Sequence, residues 1–292
     1  MSFNDGVRIN SAKVRRRGGA SVAALSVGGI VTVVILGLLS QFLGVDLMPL
    51  AGGTPEPSIG APSQLAEELR CETGADANAS VECRMVGAAD ALDTYWGTAV
   101  TGYRSPDVIL FSGATSSGCG MADASTGPFY CPTDTAIYLD TGFFSTLHDD
   151  FGAQTGSLAQ MYVLAHEWGH YISHITGSLD QGARGSGAAG GSVRVELQAD
   201  CYAGAWVRSA ATVPEETSGQ PFLKPVTQDQ IEDALDAASA IGDDSIMEMA
   251  GQRVEPDRFT HGSSVQRQRW FLTGYMNGPE ACDTHSVAAS DL

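Results

Sequence analysis

Residues 18–45 (GGASVAALSVGGIVTVVILGLLSQFLGV) contain no charged side chain. No other feature divides the sequence so sharply. At 1.5 Å per residue, a helix of this length would reach roughly 42 Å, more than the ~30 Å hydrocarbon core of a bilayer. A buried core helix seldom needs so long an uncharged run. A cleaved signal sequence has a shorter apolar region, about 7–15 residues, ending at a small-residue site. Asp46, Leu47, Met48 and Pro49 offer no such site. The expectation is therefore an uncleaved transmembrane anchor over 18–45. Arg15, Arg16 and Arg17 stand directly before it. The positive-inside bias then makes 1–17 a cytoplasmic tail and places the rest outside the cell membrane, in a single-pass topology. Residues 46–63 (DLMPLAGGTPEPSIGAPS) read as an extended Pro/Gly/Ser linker, and 64–292 as one folded domain.

Charge and cysteines agree with that placement. The formal net charge is −18. Residues 1–45 hold five basic side chains and one acidic one, so 46–292 hold 11 basic and 33 acidic, a net −22. Such a surface repels nucleic acid and anionic lipid, so no nucleic-acid partner is expected. All six cysteines (71, 83, 119, 131, 201 and 282) follow the uncharged run, and none forms a CxxC pair. An oxidising compartment would favour disulfides. Of the 15 possible pairings, short loops suggest Cys71–Cys83 and Cys119–Cys131, leaving Cys201–Cys282.

Apolar spacing predicts helices over 81–96, 158–175, 193–210, 229–241 and 263–277, with short strands over 108–111 and 136–139. Helices dominate, so the predicted class is α+β, mainly helical with a small sheet. Pro132, which cannot donate to a ladder, suggests that the 135–140 strand (TAIYLD) lies at an edge, where an extended substrate could pair with it. An ordinary internal strand is an equal alternative.

The 158–175 helix contains His166-Glu167-Trp168-Gly169-His170, an HExxH motif. Histidines at i and i+4 share one helical face and can both reach one zinc ion. Glu167 can approach a water on that ion without being a ligand, which suits a catalytic base. A catalytic zinc site needs three protein ligands and an open position. His174 is a poor third ligand, because it lies about 12 Å along the axis from His166. Glu196, in VRVELQADCYAGAW, is the better candidate and would complete a His2Glu, gluzincin-like set. Asp200, four residues on, would then accept a hydrogen bond from the other nitrogen of a ligand histidine. Taken alone, both acids could equally face solvent. His261 is a candidate stabiliser of a transition-state oxyanion, or simply a residue leading into the next helix.

The segments VLAHEWGHYISHITG, VRVELQADCYAGAW, CGMADASTGPFYCPTDTAIYLD and FTHGSSVQRQRWF together resemble the bacterial putative neutral zinc metallopeptidase family, with similarity over nearly the whole chain. The resemblance implies an N-terminal membrane segment and a zincin-like domain. It implies Zn2+ as cofactor, His166, His170 and Glu196 as ligands, and Glu167 as the catalytic residue. The expected activity is cleavage of a peptide or protein substrate, with an endopeptidase favoured over an exopeptidase. Two alternatives stand beside it: a non-catalytic exported zinc-binding or scaffold domain, and a hydrolase acting on another bond.

Overall fold

The computed structural model describes residues 3–17, 66–67, 69–123, 126–149, 153, 156–183 and 185–292. The strands are β1 (Val14–Arg17), β2 (Ala66–Glu67), β3 (Asp107–Phe111), β4 (Thr115–Ser117), β5 (Gly120–Ala122), β6 (Phe129–Cys131) and β7 (Ala136–Asp140). The α-helices are α1 (Gly74–Ala79), α2 (Val81–Ala99), α3 (Phe143–Asp149), α4 (Ser157–Ile175), α5 (Gly191–Ala210), α6 (Gln228–Ala240), α7 (Asp243–Met249) and α8 (Ser264–Asn277). The class is mixed α and β with helices in the majority, as the apolar spacing predicts.

The main sheet has the order β2-β1-β3-β7-β6, and β4 and β5 form a separate hairpin. β1, β3 and β7 run parallel, while β2 and β6 pair antiparallel at the two edges. β3 and β7 are almost wholly buried, as strands covered on both faces must be. The motif helix α4 packs against β6 and β7 on one side and against α2, α5 and α6 elsewhere. Capping boxes begin α6 (Thr227 with Gln230) and α8 (Ser263 with Gln266), satisfying the first free amides of each helix. The disulfides are Cys71–Cys83, Cys119–Cys131 and Cys201–Cys282, the pairing that loop length suggests.

One expectation needs correction. Residues 1–17 were expected as a cytoplasmic tail apart from the 64–292 domain. Instead β1 lies inside the main sheet, paired with β3 over four residues. Phe3, Val7 and Val14 are buried in the principal core. Phe3, Val7, Ile9 and Val14 give this segment an apolar side of its own, and all four are buried despite the polar residues between them. For the 135–140 strand the second of its two readings holds. It is internal, between β3 and β6, and all five residues of β7 are buried. Pro132 belongs to the turn joining β6 to β7, and β6 takes the edge. The expected anchor over 18–45 and the linker over 46–63 lie outside the described residues. Among the described residues, no helix is long and apolar enough to cross a membrane.

Candidate metal centre

Three helices build the site, and their close approach depends on small residues. A Cβ placed on Gly169, inside the HExxH motif, would stand 2.7 Å from the Cα of Ala199 on α5. A Cβ on Gly274 of α8 would stand 1.8 Å from the carbonyl oxygen of Cys201. Both distances are impossible for a real side chain, so glycine lets α4, α5 and α8 meet backbone to backbone. That contact brings the carboxylates of α5 level with the imidazoles of α4. The outward sides of α4 are sealed by Trp168, Tyr171 and Ile172, all buried.

His166, His170 and Glu196 converge, with one ligand atom from each lying within 4.8 Å of the others. His166 Nε2 is 3.2 Å from Glu196 Oε2, and His170 Nε2 is 3.5 Å from Glu196 Oε1. Zinc bonds of about 2.0–2.1 Å in tetrahedral geometry would separate two ligand atoms by about 3.3 Å. The donor set therefore fits a zinc ion in both chemistry and spacing. The two rings stand nearly perpendicular, with centroids 4.7 Å apart. His170 Nδ1 is buried and finds no hydrogen-bond partner among the described residues.

Behind His166 lies a closed polar network. Its Nδ1 donates to Asp200 Oδ1 at 2.8 Å, which leaves Nε2 facing the centre. Arg267 of α8 grips both oxygens of Asp200, from Nε and Nη2, each at 3.0 Å. Tyr162 donates its hydroxyl to Asp200 and accepts from Arg267 at 3.2 Å. Asp200 is 0% exposed and Arg267 1%, so each charge depends on the other for compensation. Burial pushes the Asp200 carboxyl up, but Arg267 and His166 outweigh it and hold it below its ordinary value. Burial draws both imidazoles down. At His166 the carboxylates of Asp200 and Glu196 outweigh burial and hold the group up to about 10. At His170 burial prevails and the pKa falls. Glu196 also resists burial; His170 and His166 keep it well below the carboxylate range.

His261 reaches the same cleft from the loop before α8. Asp243, at the start of α7, accepts the backbone amides of Thr260, His261 and Gly262 at 2.7–2.8 Å. Its other oxygen takes His261 Nδ1 at 3.2 Å. Burial lowers the His261 pKa, and Asp243 and Glu196 raise it further than burial lowers it. His174 points elsewhere: its Nδ1 meets the Tyr130 hydroxyl at 2.7 Å, outside the metal cluster. Sequence reasoning did not find Tyr162, Asp243 or Arg267. Arg267 carried one usable signal, a lone charge on the apolar side of α8, at i+4 from Ser263 and three residues before Trp270.

His166, Glu167, His170, Glu196 and His261 line one cleft of about 540 Å³. Its other wall is apolar, with Met121 of the β4–β5 hairpin, Phe129 of β6 and Phe143 of α3. Glu167 is buried on the motif helix beside the ligands, at 8% exposure, yet borders this space.

The family described as putative neutral zinc metallopeptidase matches residues 3–285. An uncharacterized protein of Mycobacterium tuberculosis strain H37Rv is 42% identical over 290 residues, covering 99% of both chains. The uncharacterized Escherichia coli K12 protein YpfJ is 35% identical over 268 residues, covering 88% of this chain and 86% of its own. No solved structure matches. The match begins at Phe3, so the family pattern takes in the N-terminal segment as well as the three helices around His166. The chain belongs to the putative neutral zinc metallopeptidase family.

Proposed function

We propose that this protein hydrolyses internal peptide bonds, with Glu167 as general base and a zinc ion on His166, His170 and Glu196. One observation carries the reading. One ligand atom from each of His166, His170 and Glu196 lies within 4.8 Å of the others, and all three residues line the same cleft as Glu167. A structural zinc would be closed by a fourth protein ligand, commonly cysteine. Among the described residues three side chains converge, and all six cysteines are paired in disulfides. This favours the enzyme over a scaffold domain.

Zinc in this position supplies Lewis acidity, easing proton loss from water and polarising a carbonyl. The protein's own groups do the rest. Glu167 takes a proton from the attacking water and returns it to the leaving amine. Asp200, held by Arg267 and Tyr162, fixes the His166 ring so that Nε2 faces the ligand set. His261, oriented by Asp243, donates to the oxygen that gains negative charge. The edge strand β6 pairs with an extended chain, and the apolar wall of Met121, Phe129 and Phe143 receives its side chains. An edge that accepts chain on both sides of the bond suits an endopeptidase. The three disulfides suit an oxidising, extracytoplasmic compartment.

The test is Glu167→Gln. Zinc stoichiometry is expected to hold while cleavage of a peptide library falls by about 10²–10⁴-fold. Full activity in this variant would remove Glu167 from the reaction. Cleavage that survives complete removal of zinc by chelator would remove the metal as well.

A further inference from the structure

The β4–β5 hairpin borders the cleft with one face and is pinned to the main sheet by the other. Strand alternation sends Thr115 and Ala122 to one side and Ser116 and Met121 to the opposite side. The first pair is buried, at 1% and 3% exposure, and Ala122 packs with Ile109, Phe111 and Tyr138 of the sheet. The second pair is exposed, Met121 at 75%. The Cys119–Cys131 disulfide ties the hairpin turn to the end of β6. Asp134 accepts the Gly118 amide at 2.6 Å, and Arg17 donates to the Ser116 carbonyl at 3.0 Å. A covalent bond and two hydrogen bonds thus fix the hairpin beside the edge strand.

We infer that this hairpin is the specificity arm of the cleft: Met121, with Phe129 and Phe143, receives a bulky uncharged apolar side chain of an extended peptide and turns acidic and basic ones away. An exposed methionine by itself would mean little. Here three apolar side chains, from the hairpin, β6 and α3, border one cleft with the metal ligands. The charged groups of the lining, Glu167, Glu196, Arg267 and the histidines, all lie on the metal side. The hairpin, β6 and α3 contribute no charged side chain to it. A charged substrate residue set against this wall would lose water without gaining a counter-charge. Methionine is unbranched and polarisable, so it can conform to Leu, Met, Phe or Tyr in turn. The inference rests on the peptidase reading for the kind of ligand and adds the class of side chain that the cleft selects.

The full-length, zinc-loaded protein is given a random peptide library, and the cleaved bonds are read by mass spectrometry. Leu, Met, Phe and Tyr are expected to be enriched at one position near the cleaved bond, with Asp, Glu, Lys and Arg depleted there. Met121→Ser, at an exposed position, should cut that enrichment about tenfold with zinc content and Tm unchanged. Met121→Lys should admit Asp and Glu at the same position. Cleavage with no apolar preference, or a preference that both variants leave intact, would overturn the inference while the peptidase reading stands. A binding measurement separates the two further. Zinc-loaded Glu167→Gln on a column is expected to retain apolar members of the library, and adding Met121→Ser to it should release them. This measurement needs no hydrolysis, so retention that ignores Met121 would sink the specificity arm even in a protein that cleaves nothing.

Discussion

The metal centre and the N-terminal docking site are both deeply buried, but they bury different chemistry. Around His166 the enclosed groups are charged: Asp200, Arg267 and Glu196, contributed by helices that lie within about a hundred residues of one another. At the N-terminus the enclosed groups are apolar, Phe3, Val7 and Val14, and their partners range from α2 to Leu223. Charge burial gives direction. Each oxygen of Asp200 has an assigned donor, which fixes the orientation of the His166 ring. Apolar burial gives cohesion without direction. The first region should therefore govern function and stability together, and the second stability alone.

Arg267→Met puts that division under the greatest load. Losing the guanidinium leaves Asp200 buried without its counter-charge, which costs about 3–5 kcal/mol. The freed carboxylate also positions His166 less well, so zinc affinity should drop about 10–100-fold. Calorimetry and a chelator competition read the two effects, and Arg267→Lys should restore part of each. Phe3→Ala comes next, at about 3 kcal/mol of stability from the cavity it leaves. Its kcat, measured well below Tm, should match the wild type. A lower kcat under those conditions would join the two regions and break the comparison. His261→Gln sharpens it from the other side, with Tm held and kcat down about 100-fold. The smallest effect is expected at Asp90, which accepts the Asn10 amide. Burial lifts this carboxyl to about 6. The folded state thus holds the proton more tightly than the unfolded chain does. The stability from this group is full below about pH 4 and is lost as pH rises through about 6. Asp90→Asn keeps the acceptor and should flatten that part of a Tm-versus-pH curve.

The same contrast explains what could be read from the sequence. The five helices predicted from apolar spacing all appear, their ends displaced by up to three residues. The spacing of 166, 170, 196 and 200 pointed to one helical face on each of two helices, and the structure sets those faces together. Local periodicity suffices there, because 3.6 residues per turn decides which side chains are neighbours. Tyr162 and Asp243 were not legible, and Arg267 only as a lone charge on the apolar side of α8. Each acts through a partner far along the chain, and a single arginine or tyrosine has no period. β1 was hidden for a further reason: VRRR reads as a basic flank to an uncharged run, and only pairing with β3 makes it a strand. The short β4, β5 and β6 have three residues each, too few for alternation to register.

β1 has one more consequence, for how the chain is made. It is synthesised early, yet its parallel partner β3 is complete only at Phe111. Throughout that interval the nascent strand is an open template, and parallel pairing over such a separation forms slowly. Arg15, Arg16 and Arg17 leave Val14 as the only apolar residue in the strand. Two such strands from different chains would bring like charges opposite one another. The arginines thus act as gatekeepers, keeping the waiting strand from recruiting a second molecule until its own sheet is ready to receive it.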